Sequence, residues 1–454
     1  MARFLIAAAH KSSGKTVIST GLSAALTAQG LAVQSFKKGP DYIDPMWLSA
    51  ASNRPCYNLD FNTLSDSEIK LLLGQKLKNS DVAIIETNKG LYDGVDVKGS
   101  DSNAALAKQL HIPVILVIDC AGITRGIAPL LIGYRAFDHD VNIAGVILNK
   151  VGGSRHESKL RAAVKTHTDI PVIGAVANDP ALDIGERHLG LTTPAETGGL
   201  DKMIQRFGDI VGRSVDLDAL MNIALSAPSL GHITIEPVTP KFSGLKIGVA
   251  RDASFGFYYP DDLEAFQELG AQIVPFDALQ ATSLPEIDGL FIGGGFPEMK
   301  MAELSGNTAL RHDIKTKIAA GLPTYAECGG LMYLCNTLEW DGSSLPMCGV
   351  INGDAVMQNR PQGRGYTVYQ DSPDHPWGTR NDPMPAHEFH YARVDNLGPS
   401  TKYCREILRG HGIDGKVDGI VQHNLLAGFC HLRHTAQNPW VENFLTFVQT
   451  IKLG

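Results

Sequence analysis

Short apolar runs rich in Val and Ile recur along the chain, and each is followed by a mixed segment long enough for a helix. Buried strands of a parallel sheet have this composition, because helices cover both faces of such a sheet. Parallel strands also need crossover connections, which are usually helical. The pattern therefore predicts an α/β fold with mostly parallel sheets. The runs are RFLIAAA, AVQSF, DVAIIE, PVILVID, AGVILN and PVIGAV in the first half, and LKIGVA, AQIVPF, GLFIGG and LPTYA in the second.

The break between the two sets of runs predicts a domain boundary. A chain of 454 residues is long for one hydrophobic core and sufficient for two. The stretch SAPSLGHITIEPVTPKFSG concentrates Pro, Ser and Gly, which favour loops over regular structure. We therefore predict one α/β domain over residues 1–225, a linker over 226–244 and a second α/β domain over 245–454.

Composition argues against several classes of function. The net charge of −8 argues against a nucleic-acid partner, because phosphate contacts need clustered Lys and Arg. No apolar stretch approaches the length that spans a membrane, and the N-terminal MARFLIAAAHKSSGKT has no small-residue cleavage site. The 7 cysteines include no CxxC pair, so neither a disulfide framework nor a zinc site is indicated. The expected location is the cytoplasm.

The segment AHKSSGKT, residues 9–16, follows a predicted strand and opens a predicted helix. This is the context of a phosphate-binding loop, whose backbone N–H groups surround phosphate oxygens. Lys15 would neutralise phosphate charge, and the Thr16 hydroxyl would bind Mg²⁺. The loop departs from the usual pattern at its first position, where Ala9 stands in place of glycine. The nucleotide-binding residues predicted from this segment are Ser13, Gly14, Lys15 and Thr16.

Carboxylates follow two further predicted strands. The loop FKKGPDYIDP contains Asp41 and Asp44 beside two lysines, and DVAIIETNKGLYDG ends a strand at Glu86 and places Asp93 downstream. By composition alone, the lysines and carboxylates of the first loop could pair as a solvated turn. Ligands of doubly wound sheets bind beyond the carboxyl ends of the strands, however, so both loops should face the phosphate loop. Asp41 or Asp44, together with Glu86, would then complete an Mg²⁺ site.

The segment PTYAECGGLMYL has the pattern of a strand, a tight elbow and a helix, with Cys328 at the elbow. A cysteine nucleophile needs an exposed, oriented sulfur and a base, and His431 in GFCHLRH ends another apolar run. A lone buried cysteine is usually inert, but here an elbow, the glycine loop IGGGFPE at residues 292–298 and a late histidine coincide. We predict that Cys328 is a nucleophile and His431 its base. Glycines let the backbone approach a substrate closely, so the predicted oxyanion site lies at Gly294, Gly295 and Gly329.

Motifs along almost the whole chain resemble the cobyrinic acid a,c-diamide synthases. They are FKKGPDYIDP, KGLYDG, ERHLGL, RDASFGFYYPDDL, IGGGFPE, YAECGGLMYL and HEFHYAR, in the family's order. The resemblance implies an N-terminal P-loop NTPase domain of the dethiobiotin synthetase type and a C-terminal class I glutamine amidotransferase domain. It also implies that glutamine is hydrolysed at the cysteine and that ammonia passes internally to the synthetase site. There ATP phosphorylates a side-chain carboxylate of a tetrapyrrole, and ammonia displaces the phosphate.

The resemblance implies roles for individual residues. Cys328 and His431 are the implied catalytic pair of the glutaminase, and the three glycines belong to its glutamine pocket. Class I glutaminases often have a Glu two residues after the histidine, but this chain has Arg433 there, which implies a Cys–His pair without that third member. A homodimer is also suggested. In the N-terminal domain the resemblance assigns ATP to the phosphate loop, Mg²⁺ to Thr16, Asp41 and Glu86, and the substrate or its acyl phosphate to Tyr42, Asp44 and Asp93.

Two departures from the family pattern concern the tetrapyrrole. The family usually has a histidine a few residues after IDP, where this chain has Leu48, and it usually reads EGVMGLYDG where this chain reads ETNKGLYDG. Asn88 and Lys89 therefore lie between Glu86 and the loop of Asp93 that is implied to contact the substrate, and Lys89 would pair with an additional ring carboxylate. Relatives in the superfamily amidate sirohydrochlorin-type rings, including siroheme. Cobyrinic acid and a siro-type ring both stay open as substrates.

A different class of function is an ATP-dependent switch of the partitioning type, which the N-terminal half also resembles. Its glutaminase half would then be inactive. An inactive half would be expected to have lost Cys328, His431 or the glycine loop, and all three are present. The sequence therefore favours the amidotransferase.

Overall fold

The computed structural model describes residues 1–187, 190–231, 234 and 237–454 of the chain. Two compact units follow one another, Met1–Ile235 and Glu236–Gly454, and their division falls within the segment predicted as a linker. Residues 232, 233, 235 and 236 of that segment lie outside the described residues, as do His188 and Leu189 of the ERHLGL motif. The predicted domain bounds stay predictions.

The first unit is built on a seven-stranded sheet in the order β3-β2-β4-β1-β5-β6-β7. All of its strand pairs are parallel, as the apolar runs predicted. The sheet strands are β1 (Ala2–Ala8), β2 (Val33–Lys38), β3 (Tyr57–Leu59), β4 (Val82–Glu86), β5 (Val114–Asp119), β6 (Ile143–Val151) and β7 (Val172–Ala177), and a separate pair is formed by β8 (Glu186–Arg187) and β9 (Gly190–Leu191).

Helices cover both faces of this sheet. In β1 every residue is buried, and side chains alternate between faces: Leu5 joins one apolar cluster, whereas Phe4 and Ile6 join another. This two-sided burial explains why the strands are continuous apolar runs. The helices are α1 (Lys15–Ala28), α2 (Ile43–Ser52), α3 (Asp66–Leu77), α4 (Asn103–Gln109), α5 (Ile127–Phe137), α6 (Ser154–His167), α7 (Leu200–Ser214) and α8 (Leu217–Leu225).

The second unit contains a nine-stranded sheet in the order β12-β10-β13-β15-β24-β23-β22-β19-β20. Its first five strands are parallel, and the remaining pairs are antiparallel. The strands of the unit are β10 (Lys246–Ala250), β11 (Phe255–Phe257), β12 (Gln272–Phe276), β13 (Gly289–Ile292), β14 (Gly294–Gly295), β15 (Thr324–Glu327), β16 (Thr337–Trp340), β17 (Ser343–Pro346), β18 (Asp354–Met357), β19 (Gly363–Asp371), β20 (Met384–His390), β21 (Ala392–Asp395), β22 (Lys402–Arg409), β23 (Val417–Gln422) and β24 (Leu425–Gly428). The helices are α9 (Pro260–Glu268), α10 (Met301–Gly306), α11 (Thr308–Ala319), α12 (Gly329–Leu334) and α13 (Trp440–Leu453).

Strand order places the predicted site segments together within each unit. In the first sheet, β2, β4 and β1 are neighbours, so the loops after them meet at one edge. In the second sheet, β13, β15 and β24 are neighbours, and the glycine loop, the elbow and His431 follow them. Among the described residues, no helix combines the length and apolar character needed to cross a membrane.

Candidate active sites

The phosphate loop of the first unit is shaped by Gly14 and held by Asn149. Gly14 has φ of 84°, and a Cβ there would lie 2.2 Å from Asn149 Nδ2. The same amide donates a hydrogen bond to the Ser13 carbonyl at 2.9 Å, and Ser13 Oγ donates to the His10 carbonyl at 2.8 Å. Glycine is therefore required by both conformation and space. The loop has the shape that the nucleotide prediction needs, since it opens directly into α1.

Lys15, the first residue of α1, is buried with 7% of its surface exposed. Its Nζ donates to the Lys89 carbonyl at 2.8 Å, which ties the phosphate loop to the loop after β4. Burial, followed by the charge of Lys37, lowers the pKa of Lys15 to about 8. A phosphate at this ammonium would offset both effects, so the position is suited to an anion.

Lys37, for which the sequence alone predicts no role, lies at the centre of a cluster of carboxylates. Its Nζ contacts the Asp44 carboxylate directly, lies 2.7 Å from Glu86 Oε1 and lies 4.0 Å from Asp41 Oδ2. The side chain is only 2% exposed, so this segment is not the solvated turn that composition allowed. Burial alone would lower the pKa of Lys37, but Asp44 and Glu86 outweigh it and raise the pKa.

Thr16 and Glu86 fit the predicted Mg²⁺ site. Thr16 Oγ1 donates to Glu86 Oε1 at 3.0 Å, and the buried Glu86 Oε2 has no hydrogen-bond partner among the described residues. A buried carboxylate oxygen without a donor is costly unless a cation or ligand satisfies it. No three His, Cys, Asp or Glu side chains of the described residues converge as a metal cage. Mg²⁺ usually takes only one or two carboxylates besides phosphates and water, so a Thr–Glu pair is compatible with it.

Asp41 lies slightly apart from this pair. Its Oδ1 accepts hydrogen bonds from the backbone N–H groups of Ile43 at 2.9 Å and Asp44 at 3.1 Å, at the start of α2. One carboxylate oxygen is therefore used to cap a helix. Tyr42 occupies the N-cap position of the same helix, and Leu48 within it is fully buried. The assignments of Asp41 to Mg²⁺ and of Tyr42 and Asp44 to substrate stay predictions.

The loop after β4 is anchored by Asn103, a residue that was not predicted from the sequence. Asn103 Nδ2 donates to the carbonyls of Asn88 at 2.5 Å and Gly90 at 2.7 Å. Asp93 Oδ2 accepts from the Gly90 N–H at 2.9 Å, so its carboxylate closes the turn. Lys89 has φ of 43° and an exposed side chain, whereas Asn88 is half-buried. Hydrogen bonds thus anchor the backbone of the loop, and the Lys89 side chain is exposed.

In the second unit, Cys328 forms the predicted elbow between β15 and α12. Its φ and ψ are 48° and −102°, a strained conformation for a residue with a Cβ. The Cys328 N–H donates to the Gly428 carbonyl at 2.8 Å. A Cβ at Gly330 would lie 2.2 Å from the Ile292 carbonyl oxygen, and one at Gly329 would lie 3.0 Å from the Gly295 nitrogen. The glycines after the cysteine therefore let the elbow pack against the glycine loop.

His431 lies beside this elbow and hydrogen-bonds to Cys328. Its backbone N–H donates to the His387 carbonyl at 2.8 Å, and the two imidazoles stack with centroids 4.9 Å apart. A Cβ at Gly294 would lie 2.6 Å from His431 Cε1. Burial would lower the pKa of His431, but hydrogen bonds to Cys328 and Glu327 outweigh it and raise the pKa to about 10. An imidazolium beside a sulfur is the arrangement that stabilises a thiolate nucleophile.

Three residues important to these sites were not assigned from the sequence: Lys37, Asn103 and Glu327. Lys37 and Glu327 each lie within a predicted site segment, and the paired lysines of FKKGPDYIDP were the available signal for Lys37. The signal for Glu327 was its place next to Cys328, which by itself suggests no function. We see no signal in the sequence for Asn103, because an asparagine at a helix start is common.

Two family descriptions match this chain. Residues 4–191 match the CobQ/CobB/MinD/ParA nucleotide binding domain, and residues 246–439 match the CobB/CobQ-like glutamine amidotransferase domain. These matches confirm the two predicted domain types and their order.

Curated relatives match over nearly the full length. The cobyrinate a,c-diamide synthase of Magnetococcus marinus is 42% identical over 444 residues, which cover 96% of this chain and 95% of the relative. The synthase of the same name from Methanosarcina barkeri is 38% identical, with 98% of this chain and 95% of the relative covered. That from Dehalococcoides mccartyi is also 38% identical, with 98% and 97% covered. The chain therefore belongs to the cobyrinate a,c-diamide synthase family.

Proposed function

We propose that the protein is a glutamine-hydrolysing carbon–nitrogen ligase that amidates the a and c acetate carboxylates of cobyrinic acid, with ATP and glutamine as co-substrates. The observation that supports this most strongly is the full-length match to cobyrinate a,c-diamide synthases, with both candidate sites present in one chain. The location that suits this chemistry is the cytoplasm, where ATP and glutamine are available. The homodimer stays a prediction.

In the glutaminase half, the Cys328 sulfur attacks the carboxamide carbon of glutamine, and His431 donates and accepts the protons that are transferred. The imidazolium gives its proton to the leaving nitrogen, the C–N bond breaks, and ammonia leaves. Water then attacks the thioester, passes a proton to the imidazole, and releases glutamate. Gly294, Gly295 and Gly329 let the backbone lie close to the developing oxyanion.

In the ATP half, a carboxylate of the tetrapyrrole is a poor electrophile until one oxygen becomes a phosphate leaving group. Its attack on the γ-phosphorus of ATP gives an acyl phosphate and ADP. Lys15 stabilises the phosphate charge during that transfer, and ammonia then displaces phosphate to give the carboxamide. Mg²⁺ held by Thr16 and Glu86 would neutralise the phosphates of bound ATP. Buried Lys37 holds Asp44 and Glu86 in place beside these reactants.

The test is mass spectrometry of the tetrapyrrole after incubation with ATP, Mg²⁺ and glutamine. Cobyrinic acid, sirohydrochlorin and siroheme are supplied in parallel. We expect conversion of cobyrinic acid to its diamide. Amidation of a siro-type ring alone would contradict the proposed substrate and direct attention to the exposed Lys89, while no product from any ring would contradict the proposed activity.

The Lys15→Ala variant is expected to lower ammonia-dependent amidation about a hundredfold, because a single preorganised group opposite developing charge contributes about that much. Glutamine hydrolysis should be retained, since Lys15 belongs to the other unit. The measurement compares ADP release and glutamate release in the same preparations. Lys165→Ala, which removes an exposed lysine of α6, is the matched control. Equal loss in both variants would contradict the role of Lys15.

A further inference from the structure

Class I glutaminases often have a Glu two residues after the histidine, which completes a Cys–His–carboxylate arrangement. This chain has no carboxylate at that position. Arg433 occupies that position, two residues after His431. Its buried guanidinium donates to Asp261 Oδ2 from Nη2 at 2.7 Å and from Nε at 3.2 Å, and it lies over the Tyr259 ring. Arg433 therefore anchors the segment after His431 to α9 through Asp261, and it does not orient the imidazole.

A carboxylate reaches the imidazole from a different element. Glu327, the last residue of β15, places Oε2 3.3 Å from His431 Nδ1, and both side chains are buried, with 4% and 3% exposed. Its Oε1 accepts hydrogen bonds from the Tyr325 hydroxyl at 2.6 Å and from the Leu432 N–H at 2.9 Å. The carboxylate is thus held on one oxygen by two donors and directs the other oxygen at His431.

The pairing of two strands explains why Glu327 lies beside His431. Strands β15 and β24 are parallel, and Glu327 lies opposite Gly428, so the chain needs only a short turn after β24 to bring His431 back over Glu327. Side chains of successive strand residues normally point to opposite faces. The left-handed φ of 48° at Cys328 breaks that alternation, and both Glu327 and Cys328 consequently reach the same imidazole.

We propose that Glu327 is the positioning residue of His431, and this inference rests on the proposed glutaminase function. The carboxylate accepts a hydrogen bond from Nδ1–H, which holds the ring in one orientation and leaves Nε2 as the nitrogen that exchanges a proton with the Cys328 thiol. Glu327 forms no bond to glutamine. Its part resembles that of the carboxylate in other nucleophile–histidine–acid sites.

The groups facing the imidazole support this assignment. Burial, then the charges of His431 and Arg433, lower the pKa of His387 well below its usual value, so the stacked ring is neutral at neutral pH. The acidic groups in contact with the His431 imidazole are then Glu327 and Cys328. The titratable or charged side chains near the His431 imidazole include those of Cys328, Glu327, His387 and Arg433. The phenols near these groups belong to Tyr325, Tyr258 and Tyr259.

The decisive variant is Glu327→Gln in the full-length protein. The amide keeps an oxygen for the Tyr325 hydroxyl and the Leu432 N–H but removes the charge. We expect kcat for glutamine hydrolysis to fall about a hundredfold or more, with a KM change of only a few-fold, because orientation of the base affects the chemical step. Ammonia-dependent amidation should be unchanged.

The pH profile separates positioning from mere support of the fold. The imidazolium donates a proton to the leaving nitrogen, which departs as ammonia, so kcat/KM in the wild type should fall as pH rises through the His431 pKa of about 10. Loss of the carboxylate destabilises the imidazolium, so this alkaline limb should move to lower pH in Glu327→Gln. A role limited to folding would lower activity without moving the limb.

Glu388→Gln is the matched control. Glu388 is a buried carboxylate of the same unit that accepts backbone N–H groups of His411 and Gly412 at 2.6 and 2.8 Å. We expect wild-type kcat and an unmoved alkaline limb from it. Should Glu327→Gln fail to fold, Glu327→Asp takes its place, since the shorter side chain withdraws the carboxylate from the imidazole and should likewise lower kcat and shift the limb.

Each outcome distinguishes this inference from the proposed function. Unchanged kcat and an unmoved alkaline limb in a folded Glu327 variant would overturn the role of Glu327, even if cobyrinic acid is amidated. Absence of amidation in the wild type with both glutamine and ammonia would contradict the proposed function. The Glu327 inference would still stand if glutamine hydrolysis responded as expected.

Discussion

The Cys328→Ser variant is expected to lose glutamine-dependent amidation by at least about a thousandfold while keeping amidation driven by an ammonium salt. A cysteine sulfur beside a histidine is a strong nucleophile, whereas a serine hydroxyl in the same place is a weak one. Ammonia supplied from solution bypasses the glutaminase reaction and should still attack the acyl phosphate. Loss of both activities would mean that the substitution damages more than the nucleophile.

The measurement is glutamate release and tetrapyrrole amidation in the same preparation, with glutamine or ammonium as the nitrogen source. Cys335→Ser is the matched control, because Cys335 is another buried thiol, located just after α12. It should retain both activities. Wild-type glutamine hydrolysis in a folded Cys328→Ser variant would remove Cys328 as the nucleophile.

The Lys37→Met variant is expected to lower the free energy of unfolding by about 3 kcal/mol. Methionine keeps the length of the side chain but leaves the Asp44 and Glu86 carboxylates without the buried ammonium between them. An unpaired buried charge costs more than the intact pair contributes, so removal of one partner is strongly destabilising. The loss should appear as a lower midpoint in urea with an unchanged slope.

The double variant Lys37→Met/Glu86→Gln tests the cause. It removes the Glu86 charge together with the Lys37 ammonium that pairs with it, so it should recover part of the stability lost in Lys37→Met. Urea denaturation of wild type, both single variants and the double variant completes a mutant cycle. Additive losses in the double variant would show that Lys37 and Glu86 do not depend on each other.

The parallel strands of both sheets were predicted except for the short β3, and the antiparallel part of the second sheet was not predicted. Strands buried on both faces, such as β1 and β4, are continuous apolar runs and can be predicted from the sequence. The antiparallel strand β19 includes exposed residues and glycines, and the three-residue β3 is too short for a pattern. Partial burial removes the continuous hydrophobicity on which the prediction relied.

Candidate site residues that lie within a continuous backbone motif could also be predicted from the sequence. The phosphate loop brings Lys15 and Thr16 together, and the elbow orients Cys328, through conformations that depend on neighbouring glycines. The predicted His431 lies beside that elbow. Asp41 and Asp93 form hydrogen bonds that complete local turns, so their proposed contacts with Mg²⁺ or substrate still await experiment.

The sequence by itself determined the two domain types and the segments from which each site is built, because a phosphate loop and a nucleophile elbow are continuous stretches of chain. Only the tertiary structure decided which distant charges meet. Lys37 reaches Glu86 because β2 and β4 pair in the register that sets these two residues opposite each other. Glu327 reaches His431 because β15 and β24 are neighbours and the elbow turns two successive side chains toward one ring. Such partners depend on strand order and register, which long-range packing selects and no local pattern specifies.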